Sequence, residues 1–448
     1  MDHEPIRPVA KTGGSNSAKI QIRALWFACS AFAFRLGLAL VTFEQVRPLG
    51  YMLADYCFCV SLLFLPKSRL LKLKGSGILL AGSLILLGAL LSLHSATGLG
   101  DAAGSLAKPI VLFGLIAPLA LCHSKDIHRN LKFLLGGIFV NCLVTLIQAW
   151  VYPGIVDLLS INPPQPDVGF SGRFQGLTEF PVTLGLSAAL AVLIGIGLFA
   201  RERNPLMRWV LAMVVLICSV AALLSGSRTF FASLIPGLLV FAFLQKKRRR
   251  EIVYAMVTLA ILWSALIYLA PKVVAQYSDR IDTVGLVDYG RLATAAQIAL
   301  EISEKPILGW GVNHFDEGGV LVLPATPETE AEELTSAHNT FLRYWYAAGL
   351  LGAIGFLALF VIPTKRMLQV LKQHGADKSA DAVRLILACY VFFFIVSNLG
   401  PYFFNRYLYV PMFTFAGFVT LSLHPVKARK VITSPVLRLP SQSFKPAQ

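Results

Sequence analysis

The chain has 448 residues, 56% of them hydrophobic and only 14% charged, with 40 Lys and Arg against 24 Asp and Glu. A soluble globule rarely carries that balance, and the apolar runs are too continuous for the alternating strands of a membrane barrel. All seven cysteines fall within or at the ends of apolar runs, which argues against a disulfide framework and leaves no zinc spacing.

A helical span needs ~20 mostly apolar residues to cross ~30 Å of hydrocarbon. Twelve windows meet that need: 24–43, 49–66, 76–95, 106–123, 131–152, 181–200, 206–225, 229–245, 252–271, 339–363, 383–400 and 403–423. The expected fold is therefore all-α, a polytopic membrane protein of about 12 transmembrane helices, with a long helical loop between the ninth and tenth. Residues 1–23 are polar and basic and carry no removable signal, so they read as a cytoplasmic tail.

With the N-terminus in the cytoplasm, the basic clusters fall alternately on that side. They include Lys67, Arg69, Lys72 and Lys74, the run Lys246–Arg250, and the tail 424–448. Such segments hold 29 of the 40 Lys and Arg. This positive-inside bias places both termini in the cytoplasm and accounts for the basic surplus without nucleic acid.

Two outer segments break the pattern of short connections. The first, 153–180, is rich in Pro and Gly; the second, 272–338, is far longer than the usual helix connection, a length that usually signals function. Within it, Leu292, Ala295, Ala299 and Ile302 form a helical stripe, which Asp288 would cap and Pro306 would end. The expected division is 24–271 for nine spans including loop 153–180, 272–338 for a large periplasmic loop, and 339–423 for three further spans.

Eleven cations defy the topology rule: Arg35, Arg47, Lys108, Arg173, Arg228, Lys272, Arg280, Arg291, Lys305, Arg343 and Arg406. Snorkelling or pairing with an acid accounts for Arg47, Lys108 and Lys272. Arg228 is different. In "LLSGSRTFF" a tight turn joins two spans, Ser227 is placed to cap the next helix, and an arginine beside Ser225, Ser227 and a glycine at a helix N-terminus makes an anion site. Arg173 lies before Pro181 and Arg291 follows "DYG"; each could instead pair with an acid, Asp167 or Glu179 for the first and Asp288 for the second.

His338 and Asn339 stand where the acidic loop meets an apolar run. A cap at Ser336 or Thr335 would put His338 in a first helical turn, where the dipole keeps imidazole neutral and fit to act as a base. Asn339 could orient a hydroxyl or a sugar. His314, in "GWGVNHF", reads as a turn residue. Trp310, Trp345, Tyr344 and Tyr346 suit either sugar stacking or an interfacial aromatic belt.

These strings resemble the bacterial O-antigen ligase family, which shares its domain with O-antigen polymerases and protein O-oligosaccharyltransferases. His338-Asn339, Leu342 and Gly349 fit its H[NSD]xxLxxxxxxG motif, and "LLSGSRTFF" looks like its S-x-S-R element. "GRLATAAQIALEISEKPILGWGVNHF" looks like its R…P-x-x-G-x-G-x-x-x-F element, and "GRFQGLTEFPVTLG" like its R-x-x-G…P element. The resemblance covers about 165–360 and implies a GT-C-like integral membrane glycosyltransferase of the bacterial inner membrane. It implies an undecaprenyl-pyrophosphate-linked glycan donor, a lipid A–core acceptor and membrane lipids as partners, with no nucleic acid and no cofactor.

It further implies His338 as the base, Arg228, Arg291 and Arg173 on the pyrophosphate, and Asn339, Ser227 and Ser225 in support. The acidic run 328–333 lacks metal-ligand spacing and reads as a solvated face, so no metal is expected. A polymerase or protein glycosylase would share the donor; one large loop rather than two favours the ligase. A transporter or lipid flippase would want ionisable residues deep in the spans, where only Arg35 and Asp55 qualify.

Overall fold

The computed structural model describes residues 14–70, 73, 77–95, 99–161, 174–269, 284–312, 321–322, 333–334, 339–374, 378–400 and 405–422. The first half runs through helices α1 (Gly14–Ala39), α2 (Leu53–Leu63), α3 (Lys67–Leu70), α4 (Gly77–Leu91) and α5 (Leu99–Pro109). Then follow a π-helical stretch, Ile110–Ile116, and α6 (Ala117–His123), α7 (Ile127–Trp150) and α8 (Ile155–Leu159). The second half holds α9 (Pro181–Phe199), α10 (Pro205–Leu224), α11 (Thr229–Leu244), α12 (Arg249–Leu269), α13 (Val284–Glu304), α14 (Thr340–His374), α15 (Lys378–Leu399) and α16 (Arg406–Gly417). Strands β1 (Leu321–Val322) and β2 (Glu333–Leu334) pair antiparallel.

Helix α9 is the axis of the bundle. Pro181 starts it without wasting a donor, and its small residues let neighbours close in on every side, so that it is buried along almost its whole length. Helix α14 packs along α4 through glycine contacts: a side chain on Gly88 would meet Ala348 O at 2.3 Å, and one on Gly355 would meet Ala81 O at 2.7 Å. Without a hydrophobic drive between helices in lipid, such close backbone approach is what holds spans together.

The expectation of twelve spans is wrong: among the described residues, seven helices are long and apolar enough to cross a membrane, or eight if one bent pair counts as a span. Window 49–66 folds as the 11-residue α2, about 16 Å long at ~1.5 Å per residue, with Pro48 before it and Pro66 after it. Windows 106–123 and 131–152 merge into one run, Ala102–Trp150. Windows 229–245 and 252–271 become α11 and α12, bent by 103° across Gln245. Window 403–423 yields only the 12-residue α16 and a π turn. Hydropathy sums side chains over a window, whereas a span needs unbroken helix length. Prolines, a 3-10 turn at Ser124–Asp126 and a sharp bend are invisible to that sum. The numbering of the long loop as lying between the ninth and tenth spans falls with the count.

Many helix ends converge at one end of the bundle. The C-terminus of α1 leads to Gln45, whose N–H donates to Leu177 O at 3.0 Å, just before α9. Phe174 N–H donates to Leu224 O at 3.3 Å, at the end of α10. Thr340 Oγ1, opening α14, donates to Gly400 O at 2.8 Å, beyond α15. The opposite end carries the basic segments around Arg201, Arg208 and Lys246–Arg250, where Gln245 Nε2 donates to Asp381 Oδ1 at 3.0 Å.

Candidate functional site

The turn between α10 and α11 is tightly held. Gly226 takes a positive φ of 61°, which a residue with a side chain seldom adopts. Ser225 Oγ bonds back to Ala222 O at 2.7 Å, and Ser227 N–H donates to Ser225 Oγ at 3.3 Å. Helix α9 seals the turn from behind, since a side chain on Gly185 would reach Ser225 Oγ at 2.5 Å. The cap position of α11 falls on Arg228 rather than on Ser227. Ser227 Oγ is buried and has no hydrogen-bond partner among the described residues. Arg228 is half-buried beside it.

Two contacts give the height of this turn in the bundle. Helices α11 and α15 pack antiparallel: a side chain on Gly237 would meet Ala388 O and Phe392 Cβ, and Gln245 bonds Asp381. Continued along α11, that register carries Arg228 to the level of Asn398 and Leu399. Asn398 Oδ1 in turn receives Asn339 Nδ2 at 3.4 Å. The S-G-S-R turn and the start of α14 therefore share one level on two helices that both pack against α15.

Asn339 caps α14: its Oδ1 accepts from Leu342 N–H at 3.1 Å. This uses the side-chain oxygen on the backbone and leaves the amide nitrogen toward Asn398. Thr340 is the first helical residue; Thr335 and Ser336, the expected caps, lie outside the described residues. His338, Arg173, Asp167 and His314 all lie outside the described residues.

Arg291 belongs to α13, which begins at Val284, so Asp288 is inside the helix and not at its start; its end at Glu304, before Pro306, agrees with the sequence. The helix is docked on α14 through Ile298 and Ile302 against Tyr346. The segment after it explains the motif glycines. Helix α14 breaks at Ala348 and Gly349, the latter at φ 62°, ψ −160°. Carbonyls near the break accept from the incoming chain: Trp310 N–H bonds Tyr346 O at 2.7 Å and Gly311 N–H bonds Ala347 O at 3.1 Å. A side chain on Gly349 would lie 2.0 Å from Ile307 O. The G-x-G and the motif glycine are thus two halves of one joint that fastens the loop helix to α14.

Three of the four aromatics serve that joint: Tyr346 is buried in it, Trp310 stacks on Tyr346 at 6.2 Å, and Trp345 Nε1 donates to Pro306 O at 3.0 Å, whereas Tyr344 is buried in the main core, stacked on Phe356 at 5.0 Å. Three other suspect cations, Arg35, Arg47 and Arg406, have acidic partners. Arg35 bonds Asp126 at 2.6 Å and Asn130 at 3.2 Å. Glu179, a possible partner for Arg173, bonds Arg47 at 2.6 Å, and Asp55 bonds Arg406 at 2.5 Å.

Sequence reasoning missed a cavity of about 380 Å³ at this same end, lined by Glu44, Arg47, Lys108, Glu179 and Arg406 among others. Its signal was present: three of these residues are among the eleven cations outside the basic segments. Glu44 is nearly fully buried, and burial pushes its carboxyl up to about 7; the N–H that Glu179 donates to it opposes the rise, the Glu179 carboxylate adds to it, and Arg47 and Arg406 oppose it.

Residues 212–357 match a family model described as O-Antigen ligase. No curated protein matches the chain. The matched stretch includes Ser225, Ser227, Arg228, Arg291, His338, Asn339 and Gly349, while Arg173 falls outside it. The S-G-S-R turn, the loop-helix joint and the capped start of α14 therefore sit within one matched stretch, about a third of this multi-pass membrane protein, that is similar to the O-antigen ligase family.

Proposed function

We propose that the protein is an O-antigen ligase that moves a glycan from undecaprenyl pyrophosphate to a sugar hydroxyl of lipid A–core, at the periplasmic face of the bacterial inner membrane. Both termini lie in the cytoplasm in this reading, because the basic segments gather at the opposite end of the bundle from Arg228. The single observation that carries the proposal is the common level of the Arg228 turn and the α14 start, with α13, the helix whose sequence holds Arg291, docked on α14 through Ile298 and Ile302.

The chemistry follows from the donor. Its C1–O bond to diphosphate is already activated, so the reaction asks for charge stabilisation and one proton acceptor. Arg228 and Arg291 meet the diphosphate oxygens and stabilise the charge that grows on them as the bond breaks, with Arg173 as a third cation. Ser227 Oγ, which has no partner among the described residues, adds a donor from the same turn, and Ser225 holds the turn in shape. His338 takes the acceptor hydroxyl proton while that oxygen attacks C1, and the C1–O electron pair leaves with the diphosphate. A single displacement inverts C1. Asn339 fixes the start of the helix that follows His338.

The test uses purified protein, polyprenyl-pyrophosphate glycan and lipid A–core, with neither nucleotide nor metal added. Glycan is expected on the core lipid, and His338→Ala and Arg228→Ala are each expected to lower the rate by about 10²–10³-fold while the protein stays folded. Transfer by His338→Ala at the wild-type rate would remove the base assignment. A lengthened glycan with unmodified core lipid would make the protein a polymerase.

A further inference from the structure

The chain that follows α13 meets α14 well below its start. Between Arg343 and Lys365 helix α14 carries no charge, and the 21 residues from Tyr344 to Thr364 are about 32 Å long at ~1.5 Å per residue. A hydrocarbon core is ~30 Å thick, so this stretch crosses it once, with Tyr344 at the edge on the Arg228 side. Contacts descend α14 as the loop chain proceeds. Ile298 and Ile302 of α13 pack on Tyr346, with Leu342 against them, and Ile307 O then accepts Leu350 N–H at 3.2 Å. Leu350 is six residues inside that edge, about 9 Å deep.

The backbone fits that depth. Irregular chain is tolerated in hydrocarbon only where its polar groups are paired within the protein. Here the carbonyls of Lys305, Pro306 and Trp310 accept from Gly309 N–H, Trp345 Nε1 and Ser95 Oγ, and the N–H groups of Trp310 and Gly311 reach the α14 break. Side chains at the turn are sorted in the same sense. Lys305 is the last charge before it, and its ammonium lies 3.7 Å over the Trp310 ring. Next come Ile307, 67% exposed, and Leu308, 42% exposed. From Leu350, the residue bonded to Ile307, an exposed apolar stripe continues down one face of α14 through Ile354, Leu357 and Val361. The turn thus extends a surface that already faces lipid.

We propose that Ile307 and Leu308 form a re-entrant tip, inserted among the acyl chains of the leaflet on the Arg228 side. The tip sets the height of α13, the helix whose sequence holds Arg291, against the membrane surface. It also gives the break in α14 a purpose, since Gly349 lets the chain turn back at hydrocarbon depth without leaving the carbonyls of Tyr346 and Ala347 unpaired. The proposal does not depend on glycan transfer, because depth is read directly.

The experiment uses the full chain in phosphatidylcholine nanodiscs that hold one copy each, so that no second copy can cover the tip. Ile307→Cys and Leu308→Cys are labelled with an anionic, membrane-impermeant maleimide, and Ala296→Cys, on an exposed position two turns earlier in α13, reports a thiol in water. The unsubstituted chain gives the background, and rates in SDS correct for reactivity. Both tip thiols should label at least tenfold more slowly than Ala296→Cys. Neither is covered by the protein itself, so slow labelling means lipid. A second measurement stands should these variants fail to fold: the added emission of Leu308→Trp should be quenched more by lipids brominated along their chains than by aqueous iodide. Labelling of the tip thiols at the Ala296→Cys rate, or stronger quenching by iodide, would overturn the proposal.

Discussion

The two ends of the bundle use charge in opposite ways. At the end that holds the basic segments, cations are many and several are exposed and loosely paired: Arg208 and Arg248 sit 3.7 and 3.8 Å from the same Glu251, a carboxylate 44% exposed, although Arg384 there meets Asp381 closely. At the other end they are few, yet they meet carboxylates at 2.5 and 2.6 Å, with Asp55 only 14% exposed. Number of charges sorts a helical bundle across a membrane; depth of charges marks where it does chemistry. The difference teaches that the overall surplus of +16 is a poor guide to the candidate site, whose proposed cations lie outside the basic clusters.

The sharpest way to break the comparison is through glycines. Gly349→Ala forces a side chain into a positive-φ position 2.0 Å from Ile307 O, so the joint between α13 and α14 must open. We expect a loss of more than about 3 kcal/mol in stability and of nearly all transfer activity, read by thermal unfolding in detergent and by the lipid A–core assay. Gly136→Ala in α7 has nothing within 4 Å of the added carbon and should change stability by under about 1 kcal/mol. Equal effects would mean that the joint does not hold the loop helix in place.

That joint also shows how far the sequence could be read. Gly309, Gly311 and Gly349 stood out as motif positions, yet their reason emerged only when the α14 break and the incoming N–H groups met. The S-G-S-R turn was legible because its parts are consecutive and its chemistry is local. The charged cavity was not, because Glu44, Asp55, Lys108 and Arg406 come from four segments with no spacing to relate them. The span count failed for a related reason: the 103° bend at Gln245 and the shortness of α2 and α16 belong to backbone geometry, which apolar windows do not record. His338 and Arg173, which carry much of the expected chemistry, lie outside the described residues.

The second test asks whether burial at the site end has a cost that pH reveals. Glu44 has its carboxyl raised from 4.5 to about 7, so the folded protein holds a proton there that the unfolded chain releases earlier. A raised group contributes stability that is complete below pH 4.5 and is lost as pH climbs through 7. At ~1.4 kcal/mol per unit this amounts to about 3 kcal/mol in order of magnitude. Relative to wild type, Glu44→Gln should therefore gain about that much between pH 4.5 and pH 8 in thermal unfolding. A constant difference between the two proteins across that range would show that Glu44 is solvated rather than buried.

The smallest effects come from deleting one arginine at each end, and here the contrast matters more than the size. Arg406→Ala strands Asp55 in a largely buried place with its partner gone, which should cost about 2 kcal/mol, and Asp55→Ala in the same chain should recover part of it. Arg208→Ala removes a partner of Glu251 that is itself 40% exposed, at 3.7 Å, and should fall within about 0.5 kcal/mol. High salt should leave the first loss nearly intact and erase the second, because mobile ions screen exposed pairs far better than buried ones. If both losses respond alike to salt, depth does not separate the two ends, and the cations at the α16 side are topological markers like the rest.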